Sequence, residues 1–118
     1  MGVILAYLHG SVATNTERND SDVDIAVLFD KSPQDPIEAT ALVGQTFHGF
    51  VPQREIDVAI LNDASPLLKQ AVASRGIVLY ERSSDDALRF QMRAMHEYEY
   101  SRHVVRMGQE LILERAQV

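Results

Sequence analysis

The sequence predicts an α/β (α+β) fold, a small mixed β-sheet with helices packed on it and a long C-terminal helix. Apolar segments of strand length alternate with helix-like segments in the order strand, strand, helix, strand, helix, strand, helix. Two of the helix-like segments open on Asp-Pro and Ser-Pro and run into glycine, the usual start and stop signals. The stretch from Ser84 to about Arg115 contains no proline and many good helix formers.

The first strand is read in "VILAYL", residues 3 to 8, an aliphatic run too short for a good helix that ends at Gly10. The second is "DVDIAVLF", 22 to 29. Val23, Ile25 and Val27 point one way there, while Asp22, Asp24, Ala26 and Leu28 point the other. The turn-forming cluster "DKSPQDP" bounds it.

A helix follows with Asp35 as N-cap, Pro36 at its first position, Ile37, Ala41 and Leu42 at helical spacing, and Gly49 at its end. "EIDVAIL", 55 to 61, is the third strand, with Ile56, Val58 and Ile60 on one face and Glu55, Asp57 and Ala59 on the other. "SPLLKQAVASRG", 65 to 76, forms the second helix and "IVLYE", 77 to 81, the fourth strand.

As one helix, residues 84 to 115 would measure roughly 48 Å, wider than a globule of this size. The helix is therefore expected to bend or break near Gly108, or to project and meet something else. Leu88, Met92, Met95 and Tyr98 are expected to pack on the domain. Val104, Val105, Met107, Leu111, Ile112 and Leu113 carry more apolar surface than a free tail needs, so this end is expected to dock on a partner or a second copy.

At 118 residues the chain reads as a single domain, 1–118, with a core over 3–81 and a helical segment over 84–115. The net charge of −6 excludes a broad electrostatic grip on nucleic acid, so stable direct binding to it is not expected. The absence of cysteine excludes disulfides, thiolate zinc sites and a cysteine nucleophile, and points to a reducing, cytoplasmic setting. No apolar run reaches the roughly 20 residues that span a bilayer, and no membrane association is expected. The four histidines lack zinc-site spacing, and no dinucleotide or P-loop glycine motif occurs.

The chemistry lies in acidic residues that interrupt apolar strands. Aspartates two apart on a strand share a face, with Cα atoms about 6.5 to 7 Å apart, and repel unless a cation lies between them. Mg²⁺ is held by one or two carboxylates together with substrate phosphates, and two ions about 3.5 to 4 Å apart clamp a phosphoryl displacement. Asp22 and Asp24 fit that role, and Asp57 could complete the set from a neighbouring strand. Gly10 and Ser11, at the end of the first strand, offer close backbone approach and a hydroxyl donor to a triphosphate. An isolated Asp-x-Asp is commonly a solvated strand face; here it is joined by the Gly-Ser pair and a third aspartate on a third strand.

The pattern Gly10-Ser11, ten residues, Asp22-Val23-Asp24, then "EIDVAIL" around Asp57 resembles the minimal nucleotidyltransferases of the polymerase-beta superfamily. Within them it is most similar to the MntA-type antitoxins that partner HEPN-domain (HepT) toxins. The resemblance implies a polymerase-beta-like nucleotidyltransferase fold and transfer of AMP from ATP to a tyrosine of a toxin RNase, with two Mg²⁺ ions and a hetero-oligomeric complex. It further implies that Gly10 and Ser11 hold the β and γ phosphates, that Asp22 and Asp24 bind both metals, and that Asp57 binds the catalytic metal.

The sequence departs from relatives in two respects. Many begin with a helix of about two turns, whereas this chain opens almost on its first strand; either the domain is short or the true start lies upstream, which would weaken packing on one face. His9 stands where relatives carry an aromatic such as Phe; it is expected to pack, the alternative being a role near the triphosphate. Glu55 is expected to be solvated, and Arg18, Asn19 and Asp20 lie where a nucleotide or an incoming protein could be touched. Arg89, His96 and Tyr98 echo a HEPN motif, read here as a solvated helix face. Alternative functions are a binding-only antitoxin and a nucleotidyltransferase for a small molecule or RNA ends, which usually carries a further substrate domain.

Overall fold

The computed structural model describes residues 2–10 and 23–116. Its elements are β1 (Val3–His9), β2 (Val23–Phe29), α1 (Pro36–His48), β3 (Ile56–Ile60), α2 (Pro66–Arg75), β4 (Ile77–Glu81) and α3 (Asp86–Ala116). The order is the one expected, and the four strands form one mixed sheet in the order β3-β2-β1-β4.

β1 is antiparallel to both β2 and β4. β2 and β3 run parallel, which no tight turn can connect, and α1 provides the crossover. Asp35 accepts a hydrogen bond from the Glu38 N–H and Pro36 opens α1. Ser65 accepts one from the Leu68 N–H at the start of α2, which Pro66 opens in the same way.

Strand alternation divides the core between the two faces of the sheet. Leu5, Tyr7 and Ala26 face α2 and α3, packed with Leu61, Val72, Phe90 and Ala94. Ala6, Val23, Ile25, Val27 and Phe29 face the α1 side, packed with Ala39. Tyr7 is the largest side chain in the core, and its ring lies 5.9 Å from that of Phe90. Burial pushes its phenol pKa up, and the nearby Glu81 carboxylate adds to that.

The register of β2 against β3 is held at both ends. At one end the Val23 N–H donates to the Glu55 carbonyl at 2.8 Å. At the other the Asn62 side chain grips the Phe29 backbone, accepting from its N–H and donating to its carbonyl, both at 2.9 Å. A one-residue slip would turn every β2 side chain to the wrong face, so these clamps also fix which side chains meet at the sheet's edge.

α1 lies against β3, and the β1–β4 half of that face is less covered. An almost wholly apolar groove of about 310 Å³ runs there between Phe47 and Val43 on α1 and Tyr80 on β4, floored by Val3, Ala6 and Val27.

α3 is one continuous 31-residue helix through Gly108, not broken there. Of the two expectations for it, projection is the one met. The long dimension of the molecule is 61 Å and the radius of gyration 17.2 Å, against about 13.5 Å for a compact chain of this length. The packing stripe differs from the expected one: Leu88, Met92 and Met95 are half-exposed or more, while Phe90 and Ala94 are buried. The inward face lies about 100° round the helix, because the small Ala87 and Ala94 let α3 approach the sheet and α2 with Phe90 wedged between. That same face, followed at steps of three and four residues, continues through Ser101, Val104, Gly108 and Leu111. Beyond the body it is uncovered, with Val104 47% and Leu111 56% exposed.

Candidate active site

Asp24 and Asp57 are direct partners in the parallel register of β2 and β3. Adjacent strands lie about 4.8 Å apart, and the neighbouring partners Ala26 and Ala59 belong to the α2–α3 face, so both carboxylates project from that face at one end of the sheet. Asp24 is half-buried and Asp57 exposed. Among the described residues neither takes part in an ion pair. Like charges directly opposite on neighbouring strands destabilise a sheet, and a cation between them would relieve that repulsion.

The donor set suits a hard divalent ion, being made of carboxylate oxygens with no sulfur. The two described carboxylates stand alone: among the described residues no three His, Cys, Asp or Glu side chains gather to hold a metal. Asp22, the third expected ligand, lies outside the described residues, as do Ser11 and the loop residues Arg18, Asn19 and Asp20.

Gly10 closes β1 with φ of 76°, a left-handed conformation that favours glycine. A Cβ at this position would fall on the Asp24 carboxylate, 3.0 Å from its Cγ. Two demands therefore converge on Gly10: the turn out of β1 and the room that Asp24 occupies.

His9 is the antiparallel partner of Asp24. Across β1, β2 and β3 the sheet thus presents a single row of His9, Asp24 and Asp57. Tyr7, two residues earlier on the same face, is buried in the core, whereas His9 is half-exposed where the face leaves it. Partial burial accords with the packing expected for His9, and its place in the row accords with the alternative near the triphosphate. The signal was available in the alternation that pairs it with Asp24, but the register was not.

Glu55 is exposed, and its carbonyl is engaged by Val23. Arg89 and His96 are exposed on α3; Arg89 lies 3.8 Å from the carboxylate of Asp86, and Tyr98 lies under the Arg102 guanidinium.

A model of the polymerase beta nucleotidyltransferase domain matches residues 1–85. The chain is 34% identical over 98 residues to the protein adenylyltransferase MntA of Aphanizomenon flos-aquae, covering 77% of this chain and 65% of that protein. It therefore spans somewhat less than two thirds of that curated relative. Among solved structures, a toxin-antitoxin crystal structure with AMP-PNP is similar at a TM-score of 0.72 and 28% identity, over 98% of this chain and 87% of that one. A complex of a tri-AMPylated Shewanella oneidensis HEPN toxin with MNT antitoxin is similar at a TM-score of 0.64 and 26% identity, over 98% of this chain and 84% of that one.

Proposed function

The chain belongs to the polymerase beta nucleotidyltransferase family, and from that premise we propose that it is an antitoxin adenylyltransferase, moving AMP from ATP to a tyrosine of a HEPN-domain RNase toxin. The observation that carries the reading is the juxtaposition of Asp24 and Asp57 beside Gly10. The similarity to a protein adenylyltransferase and to a complex holding a tri-AMPylated toxin supports a HEPN toxin as the acceptor.

In this reaction the tyrosine oxygen attacks the α-phosphorus of ATP, the bond from that phosphorus to the β-bridging oxygen breaks, and pyrophosphate leaves. The hydroxyl proton passes to Asp57, the more exposed carboxylate of the pair, or through it to water. Asp24 and Asp57, with Asp22, would hold two Mg²⁺ ions, which supply charge neutralisation on the transferring phosphoryl group. Gly10 and Ser11 would take the β and γ phosphates through backbone approach and a hydroxyl donor.

The overhanging half of α3 supplies the docking surface in this reading. Its exposed Val104, Val105, Leu111 and Ile112 would lie on the toxin in a hetero-oligomeric complex. No described helix is long and apolar enough to cross a membrane, and with no cysteine in the chain we assign the module to the cytoplasm.

The test is the intact mass of a HEPN-domain partner incubated with this protein, ATP and Mg²⁺, beside an Asp22→Asn/Asp24→Asn variant. Mass gains in AMP-sized steps with the wild type alone are expected. Tight complex formation that silences the toxin without any gain would replace this reading with a binding-only antitoxin.

A further inference from the structure

We propose that His9 is a triphosphate-binding residue, its imidazole donating a hydrogen bond to a non-bridging oxygen of the β or γ phosphate. The inference rests on the nucleotidyl-transfer reading above and adds to it a group that discriminates ATP from AMP.

Three observations converge on this residue. His9 pairs directly with Asp24, and Asp24 with Asp57, so the imidazole extends the carboxylate row toward β1. It is the residue immediately before Gly10, where the chain turns at φ of 76° into the Gly-Ser segment. Its imidazole has no hydrogen-bond or ion-pair partner among the described residues, although the residue is half-buried.

The order of chemistry along the row is then directional. Two carboxylates on β2 and β3 suit cations at the α-phosphate, and a nitrogen donor on β1 suits the anionic tail that leads to Gly10. A neutral imidazole always carries one N–H, so this donation needs no change of protonation. An aromatic hydrocarbon at the same position would fill the space and offer no donor.

The experiment is calorimetric titration of Mg²⁺ with AMP-PNP, and of Mg²⁺ with AMP, into the full chain and into His9→Phe and His9→Gln. Melting curves verify that each variant is folded. The Phe variant is expected to weaken AMP-PNP roughly tenfold or more and leave AMP within about twofold, with Gln recovering much of the loss through its amide N–H. Equal AMP-PNP affinity in wild type and His9→Phe overturns the proposal, as does an equal loss for both nucleotides, which would mark a packing role. If the wild type binds AMP-PNP but modifies no HEPN partner, the transfer reading fails on its own, and the AMP-PNP to AMP ratio still decides the role of His9.

Discussion

Asp24 and Asp57 face each other across two parallel strands, and among the described residues neither is paired with a cationic side chain. Removing one charge has opposite effects on the fold and on the chemistry. In metal-free buffer Asp57→Asn is expected to raise stability by about 0.2 to 1 kcal/mol, the scale of a like-charge cross-strand pair. The same variant is expected to lose AMP transfer by about a hundredfold or more. Thermal melts in chelator and transfer assays in Mg²⁺ read the two effects separately, and a variant that is less stable and fully active would contradict both.

Gly10→Ala tests the close approach at the end of β1. The left-handed backbone costs about 1 to 2 kcal/mol for any residue with a Cβ, and the Cβ would also displace the Asp24 carboxylate. The variant is expected to melt earlier and to bind Mg²⁺ more weakly. Calorimetric titration with Mg²⁺ would expose the error if affinity were unchanged.

Asn62→Ala tests the clamp at the far end of β2. Losing a side chain that serves both the N–H and the carbonyl of Phe29 is expected to cost about 1 to 3 kcal/mol. Transfer should fall by less than for Asp57→Asn, because the Val23–Glu55 bond still holds the register beside the site. Loss of activity as complete as in the aspartate variant, in a protein still folded, would show that the far clamp alone sets the carboxylate pairing.

Asp30 carries a pH signature remote from the site. A hydrogen bond from the Gly2 N–H at 3.1 Å holds its carboxyl below the ordinary carboxylate value, helped by the Lys31 backbone and by Arg82 at 3.8 Å. A depressed folded value stabilises the protein above the unfolded carboxylate pKa, and that contribution disappears as pH falls through the folded value. Asp30→Asn is therefore expected to lower the melting temperature at neutral pH, with the gap to wild type closing in strong acid. A gap that stayed constant across the titration would rule this out.

Gly108→Ala separates helix stability from docking on α3. Apart from the helix's own backbone, nothing lies within 4 Å of a Cβ built there, so alanine is expected to stabilise the helix by about 0.8 to 1 kcal/mol. Leu111→Asp with Ile112→Asp is expected to leave melting unchanged within about 0.5 kcal/mol and to weaken partner binding. Full affinity in that double variant, or in a chain ending near Tyr100, would remove α3 from the interface.

Much of the fold was legible because its signals are local. Asp35-Pro36 and Ser65-Pro66 mark helix starts through capping chemistry, and Ile56, Val58 and Ile60 alternate as a half-buried strand must. Asp24 and Asp57 were legible as carboxylates out of character with their strands. What the residues alone could not reveal is long-range register: that His9 joins the same row depends on how β1 slides against β2. The α3 stripe was misjudged for a related reason. Met92 and Met95 are the more hydrophobic choice, yet the helix buries the face whose alanines allow the closest approach, a decision made by the shape of the sheet.

The α1 crossover makes the carboxylate pair a contact between residues far apart in the chain, and this has a consequence for timing during synthesis. Asp57 cannot take its position beside Asp24 until β3 has left the ribosome, so no shorter nascent chain carries the row. β4 leaves the ribosome before α3, so the sheet can be complete while α3 is still within the exit tunnel. A growing chain can thus bring Asp24 and Asp57 together before the exposed apolar face of α3 reaches solvent.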